Sequence, residues 1–167
     1  MKNLSMIPKA FEIVENKRED SLELLRKLIS FKNEVGSPYE DIQRFIAERL
    51  SEICAEIDIW EPDFETLKQS RWFTAPLEYY PQGFKGKPIV VGRLLGTGGG
   101  RSLIFNGHVE VVTPGPLELW TSDPWKGTIR DGKMFGRGVL DCKGGLAAAI
   151  QAMEAISKAG IKLKGDV

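Results

Sequence analysis

Phe105-Asn106-Gly107-His108-Val109-Glu110-Val111-Val112 and Phe135-Gly136-Arg137-Gly138-Val139-Leu140-Asp141-Cys142-Lys143-Gly144-Gly145 are the two stretches on which the reading of this chain turns. In extended backbone, residues two apart share a face, so His108 and Glu110 are expected to be neighbours at or just beyond the C-terminal end of a strand. Open α/β sheets place their sites there. A carboxylate beside an imidazole can set its tautomer and ring orientation through the second nitrogen, a common arrangement around metals. Asp141 stands at a loop-to-helix junction beside a glycine pair that permits close backbone approach. A carboxylate there can bind a metal or simply cap the helix.

Working outward, a helix is predicted from Lys143 or Gly144, with Leu146, Ile150, Met153 and Ile156 on one face and Gly160 as its stop. Leu163–Val167 read as the opening of another strand. Upstream, Pro88–Leu95 and Ser102–Asn106 read as two strands of a hairpin joined by the glycine run 96–100. That run is not a phosphate loop, because no Gly-Lys-Ser/Thr ending and no helical pattern follow it. Glu61–Lys87 shows no period and is rich in Pro, Gly and aromatics, including Trp72, Phe73, Tyr79, Tyr80 and Phe84. It reads as a long loop that rims a site or packs down on apolar surface. Ala55–Trp60 alternates as a half-buried strand does. A helix is expected from Ser37 as N-cap and Pro38 as first residue, with Ile42, Phe45, Ile46, Leu50 and Ile53 inward. An earlier apolar stripe through Ala10, Ile13, Val14, Leu22, Leu25, Leu28 and Ile29 breaks near Lys17–Asp20, where Asp20 and Glu23 suggest a capping box.

Composition narrows the function classes. The 167 residues carry 23 basic and 23 acidic side chains, so a net charge of zero offers no electrostatic case for nucleic acid or an anionic membrane. Two cysteines without CxxC spacing exclude a disulfide scaffold and a structural zinc knot. No signal-peptide pattern and no membrane-length apolar run is present, which leads us to expect a cytoplasmic protein. His108 is the only histidine, so any site that needs an imidazole from this chain uses it.

Taken together, the two stretches resemble the signatures of the metallopeptidase and deacylase family of acetylornithine deacetylase, succinyl-diaminopimelate desuccinylase, aminoacylase and carboxypeptidase G. The first signature, Gly-His-x-Asp-Val-Val before a Pro-Gly turn, is matched by Gly107–Gly115. The second, Tyr/Phe-Gly-Arg-Gly-x-x-Asp-x-Lys-Gly-Gly, is matched by Phe135–Gly145. Trp120, Asp123-Pro124-Trp125 and Asp131-Gly132 follow the pattern between them.

The resemblance implies an α/β fold: the N-terminal portion of a zinc-peptidase-like catalytic domain over residues 1–167, with a mixed or parallel sheet flanked by helices and no lid or dimerisation domain. It also implies a binuclear hydrolase of amide bonds in N-acyl amino acids or small peptides, acetylornithine being the preferred guess. Two divalent ions, zinc or else cobalt, are implied, with His108 as ligand of one and Asp141 bridging both. A cis peptide is implied at Asp141–Cys142. Glu110, where the family has Asp, is the expected catalytic helper that orients His108. The family's acidic pair, which includes the general base, lies beyond the matched stretch. The isolated chain is therefore expected to be inactive and to need a complementary C-terminal half or self-association. From another functional class, a non-catalytic interaction module that keeps the fold remains an alternative.

Overall fold

The computed structural model describes residues 4–74 and 83–167. Tyr79 and Tyr80 of the predicted long loop lie outside the described residues. Helices α1 (Ile7–Asn16), α2 (Arg18–Ser30), α3 (Glu40–Ser51) and α5 (Gly144–Ala159) form the body, with a single-turn helix α4 (Phe64–Leu67) to one side. The core joins Leu24 and Leu28 of α2, Ile42, Ile46 and Leu50 of α3, and Ala147 and Ile150 of α5 around Val109. These positions recur at helical spacing, so each helix turns one stripe inward.

The break between α1 and α2 falls at Lys17, as the interrupted stripe predicts, but the expected capping box does not form. Asp20 lies inside the first turn of α2 and pairs with Lys17 Nζ at 2.7 Å, while Ser21 Oγ donates to the Lys17 carbonyl. Helix α3 begins three residues after Ser37, and Ser37 does not cap it. A tertiary bond accompanies the shift: Tyr39 N–H donates to the Gly86 carbonyl at 2.9 Å, and Tyr39, at φ −141° and ψ 31°, becomes the N-cap residue in place of Ser37. Helix α5 starts at Gly144 and stops at a left-handed Gly160, as predicted.

The sheet differs from expectation. Strand β1 (Glu56–Trp60) pairs antiparallel with β2 (Ile89–Arg93), from Glu56 opposite Arg93 to Trp60 opposite Ile89. A second antiparallel pair, β3 (Thr128–Arg130) with β4 (Lys133–Phe135), closes through Asp131-Gly132. Both turn residues have positive φ, 50° and 71°, as the tight two-residue hairpin turn requires. The only parallel pairing among the described residues is one bridge, Glu34 with Val111, so the predicted mixed or parallel sheet reduces to two antiparallel ribbons.

The predicted hairpin of Pro88–Leu95 with Ser102–Asn106 is not formed. Residues 163–167 enter between its two arms instead. Leu94 and Val167 exchange backbone bonds at 2.8 and 3.1 Å, and Leu103 N–H donates to the Asp166 carbonyl at 3.0 Å. The glycine run makes this close approach possible, since a Cβ on Gly96 or Gly100 would lie within 2.6 Å of backbone at Gly165. Leu163–Val167 bends at Lys164–Gly165 against this loop and is not a regular strand. Below the wedge, the arms stay apart around a cavity of about 360 Å³ floored by α3 and α5.

The stretch 61–74 with 83–87 packs partly on itself. Phe64 meets Phe73 and Phe84 edge-on at centroid distances of 5.6 and 5.5 Å, and Asp63 caps α4.

Candidate metal site

Val109 and Val111 are buried, and His108 and Glu110 therefore face the other way, as a period of two demands. Backbone bonds fix this segment on one flank: Val111 N–H donates to Asn33 O at 2.8 Å, and Val35 N–H donates to Val111 O at 2.9 Å.

Asp141 reaches the same place from a wide turn over Val139–Lys143 that precedes α5. Asp141 and Cys142 are non-helical there (φ −122°, ψ 98° and φ −131°, ψ 19°), and the peptide between them is cis. The Asp141 carboxylate does not cap α5, whose N-cap is Lys143 with no side-chain cap bond. It accepts from His108 Nε2 at 2.8 Å instead. Residues 33 positions apart in sequence thus converge as expected.

The other imidazole nitrogen is held differently from expectation. His108 Nδ1 lies 3.0 Å from the backbone oxygen of Glu110 and 3.7 Å from its carboxylate. The carbonyl is the hydrogen-bond acceptor, and the carboxylate contributes charge without a direct bond. Partial burial pulls the His108 pKa down. The bonds to Asp141 and to the Glu110 carbonyl, with the charges of both carboxylates, outweigh it and leave the pKa raised.

Cys142 completes the cluster. Its sulfur lies 3.2 Å from both His108 N and His108 O, accepting from the amide and donating to the carbonyl. One potential ligand atom each from His108, Asp141 and Cys142 falls within 4.8 Å of the others.

The donor set suits a divalent cation. With Nδ1–H committed to a carbonyl, Nε2 is the nitrogen that would bind a cation once it gives up the proton it donates to Asp141 Oδ1 across 2.8 Å. Imidazole with carboxylate is a ligand pair that zinc accepts. Both side chains remain accessible, His108 at 44% and Asp141 at 84%.

Lys143 and Arg137, both in the second of the two stretches, take structural positions around the site. Lys143 turns away from the carboxylates into the interior, where Nζ donates to Leu28 O at 2.8 Å and Phe31 O at 2.9 Å. It thereby ties the turn that carries Asp141 to the C-terminal end of α2. Burial pushes its pKa down to about 8. Arg137 stacks over Trp120 at 5.5 Å, and Trp120 Nε1 donates to Pro114 O, which braces the loop beside the site. Lys143 carried no local signal of its direction, because only the packing of α2 reveals the acceptors.

The chain is 35% identical over 158 residues to N-formyl-4-amino-5-aminomethyl-2-methylpyrimidine deformylase of Bacillus subtilis, an alignment covering 92% of this chain and 32% of that protein. It is 38% identical over 134 residues to succinyl-diaminopimelate desuccinylase of Wolbachia pipientis subsp. Culex pipiens, covering 80% of this chain and 28% of that one. Among solved structures, the dipeptidase Dug1p from Saccharomyces cerevisiae superposes with a TM-score of 0.71 at 24% identity, over 98% of this chain and 33% of that one, which shows a shared fold. The chain spans about a third of the length of the curated relatives it matches. Residues 104–167, which contain both His108 and Asp141, match the model of peptidase family M20/M25/M40.

Proposed function

We propose that this chain is the N-terminal portion of a metal-dependent amide hydrolase and carries two of its metal ligands, His108 and Asp141. The observation that supports this best is the 2.8 Å approach of His108 Nε2 to Asp141 Oδ1 on an accessible surface. Two divalent ions, zinc in the first place or cobalt, are the proposed cofactors, with His108 on one ion and Asp141 shared. When bound, such ions polarise the scissile carbonyl and stabilise the charge that develops on it. The chain's own residues hold and orient. Glu110 O fixes the imidazole tautomer through Nδ1, and the Glu110 carboxylate adds negative charge that favours a cation beside the ring.

The substrate class we propose is an N-acyl amino acid or small peptide. The named relatives remove formyl or succinyl groups or cleave dipeptides, and each of these reactions breaks an amide. Acetylornithine-type deacetylation is the first activity to test, beside desuccinylation. A cytoplasmic location suits such an enzyme, and no helix among the described residues is long and apolar enough to cross a membrane.

The rest of the site comes from outside these residues. Among the described residues no strand pairs with 104–107, where Ile104 is 85% exposed, and Leu119 and Leu140 stand out in solvent beside the site. Apolar surface of this kind marks an interface. A complementary C-terminal half, or failing that a second copy of the chain, is the proposed partner.

Zinc titration of the chain, followed by NMR, tests the metal reading. Weak binding that shifts the His108 imidazole and Asp141 signals supports it, without measurable amide hydrolysis by the chain alone. Absence of any shift at millimolar zinc refutes the metal reading. Tight stoichiometric binding, or turnover by the isolated chain, refutes the claim that the site is shared.

A further inference from the structure

We propose that Cys142 is a positioning residue that holds the backbone of His108 so that its imidazole meets Asp141. The inference rests on the metal reading above and adds a residue to it. Sγ sits 3.2 Å from both polar backbone atoms of His108. One side chain therefore satisfies the N–H and the C=O of a single residue, the pairing a neighbouring antiparallel strand would supply. No such strand runs beside residues 104–108 among the described residues.

The next residue back, Asp141, takes the imidazole end at 2.8 Å. Consecutive residues thus grip His108 at its backbone and at its ring, and the Glu110 carbonyl fixes the remaining nitrogen. The separation of the two donor atoms is set by this closed loop of contacts. A sulfur bound to a metal would first lose its thiol proton to solvent, and with it the bond to His108 O. The geometry points to Cys142 as a support for the ligand His108.

Behind Cys142 lies a cavity of about 190 Å³ lined by Phe105, Gly145, Leu146 and Ala149 among others. Cys142→Val therefore has room and removes the polar atom without a large loss of volume. Cys142→Ser keeps one donor and one acceptor but is a poor zinc ligand. Zinc ion alone is titrated into each protein and followed through the imidazole resonances of His108, which are unambiguous because the chain has no other histidine. Exchange of the His108 amide proton is measured alongside, and circular dichroism checks the fold.

Cys142→Val is expected to weaken zinc binding by about 10- to 100-fold, the range for partners that orient metal ligands, and to speed exchange at His108. Cys142→Ser is expected to recover most of both. Zinc affinity of Cys142→Val equal to the parent overturns the proposal, and so does a serine variant as weak as the valine one. If Cys142→Val fails to fold, the serine variant decides alone: near-parental affinity with a protected His108 amide sustains the proposal, and loss of either overturns it. A parent that binds no zinc sinks the metal reading instead, and the amide-exchange comparison still decides the positioning role.

Discussion

Replacing Lys143 by Met keeps an unbranched chain of similar length and deletes a buried ammonium, and its consequences are best read as a function of pH. Two costs oppose each other. Without the ammonium, the carbonyls of Leu28 and Phe31 lose their donor, which costs about 1–3 kcal/mol for each buried acceptor left unsatisfied. Against this, the parent carries the cost of holding a cation away from water. Its pKa of about 8 against an ordinary 10.5 corresponds to roughly 3 kcal/mol at about 1.4 kcal/mol per pH unit. Near pH 7 the two largely offset, so the variant is expected within about 3 kcal/mol of the parent. The pH dependence has a definite sign. Below pH 8 both folded and unfolded parent hold the proton, and the burial cost is fully present. Between pH 8 and 10.5 the unfolded chain binds more protons than the folded one, so the parent gains stability as pH rises. The neutral amine still donates to both carbonyls. Urea unfolding of both proteins at steps from pH 7 to 10.5 cancels the titration of all other lysines. The parent is expected to gain on Lys143→Met by 2–3 kcal/mol, as an order of magnitude, across that range. A difference that stays flat with pH refutes the buried, charged lysine.

Three further outcomes are expected. Glu154, fully buried on α5, accepts two bonds from Arg49 at 2.5 and 3.0 Å and one from Lys158 at 3.3 Å. Glu154→Gln should lower stability by about 2–4 kcal/mol, near the low end for a broken buried pair because Arg49 can reach water; a loss under about 1 kcal/mol in urea unfolding contradicts this. Asp166 is held below the usual carboxylate range by the Gly96 N–H first and by Arg93 second. Its tie between residues 163–167 and the glycine run is therefore present at neutral pH and lost as pH falls through its lowered pKa. The Gly96 amide shift should report that titration, and Asp166→Asn should abolish it. Glu110→Gln removes the charge near His108 but keeps the backbone carbonyl that binds Nδ1. It should leave the fold intact and lower turnover of the complete enzyme by less than truncation of His108 does; unchanged turnover argues against any electrostatic help from Glu110.

Residues with local physical signals were read correctly from the sequence. The 3.6-residue spacing of Leu146, Ile150, Met153 and Ile156 and the stop at Gly160 locate α5, because a helix bonds only to itself along its length. The alternation at 108–111 places two valines inward and His108 with Glu110 on the opposite face. The β3–β4 hairpin was missed although its signal is local: Asp131-Gly132 between Thr-Ile-Arg and Lys-Met-Phe is a two-residue turn with strand formers on both sides. The start of α3 was misplaced: Tyr39, whose N–H goes to the Gly86 carbonyl 47 residues away, takes the N-cap position in place of Ser37.

The sequence by itself determined which residues are candidates for the chemistry: one imidazole in the chain, and an acidic residue shortly before a Lys-Gly-Gly helix start. Backbone periodicity then determined which face each of them takes. Only the tertiary structure decided who meets whom. It paired β2 with β1 in place of its sequence neighbour, sent Lys143 to the end of α2, and gave the Glu110 carbonyl, rather than its carboxylate, the bond to His108 Nδ1. The reason is physical. A strand edge, an ammonium or a ring nitrogen is satisfied by any partner of the right polarity within about 3 Å, and that partner is chosen by how distant segments pack.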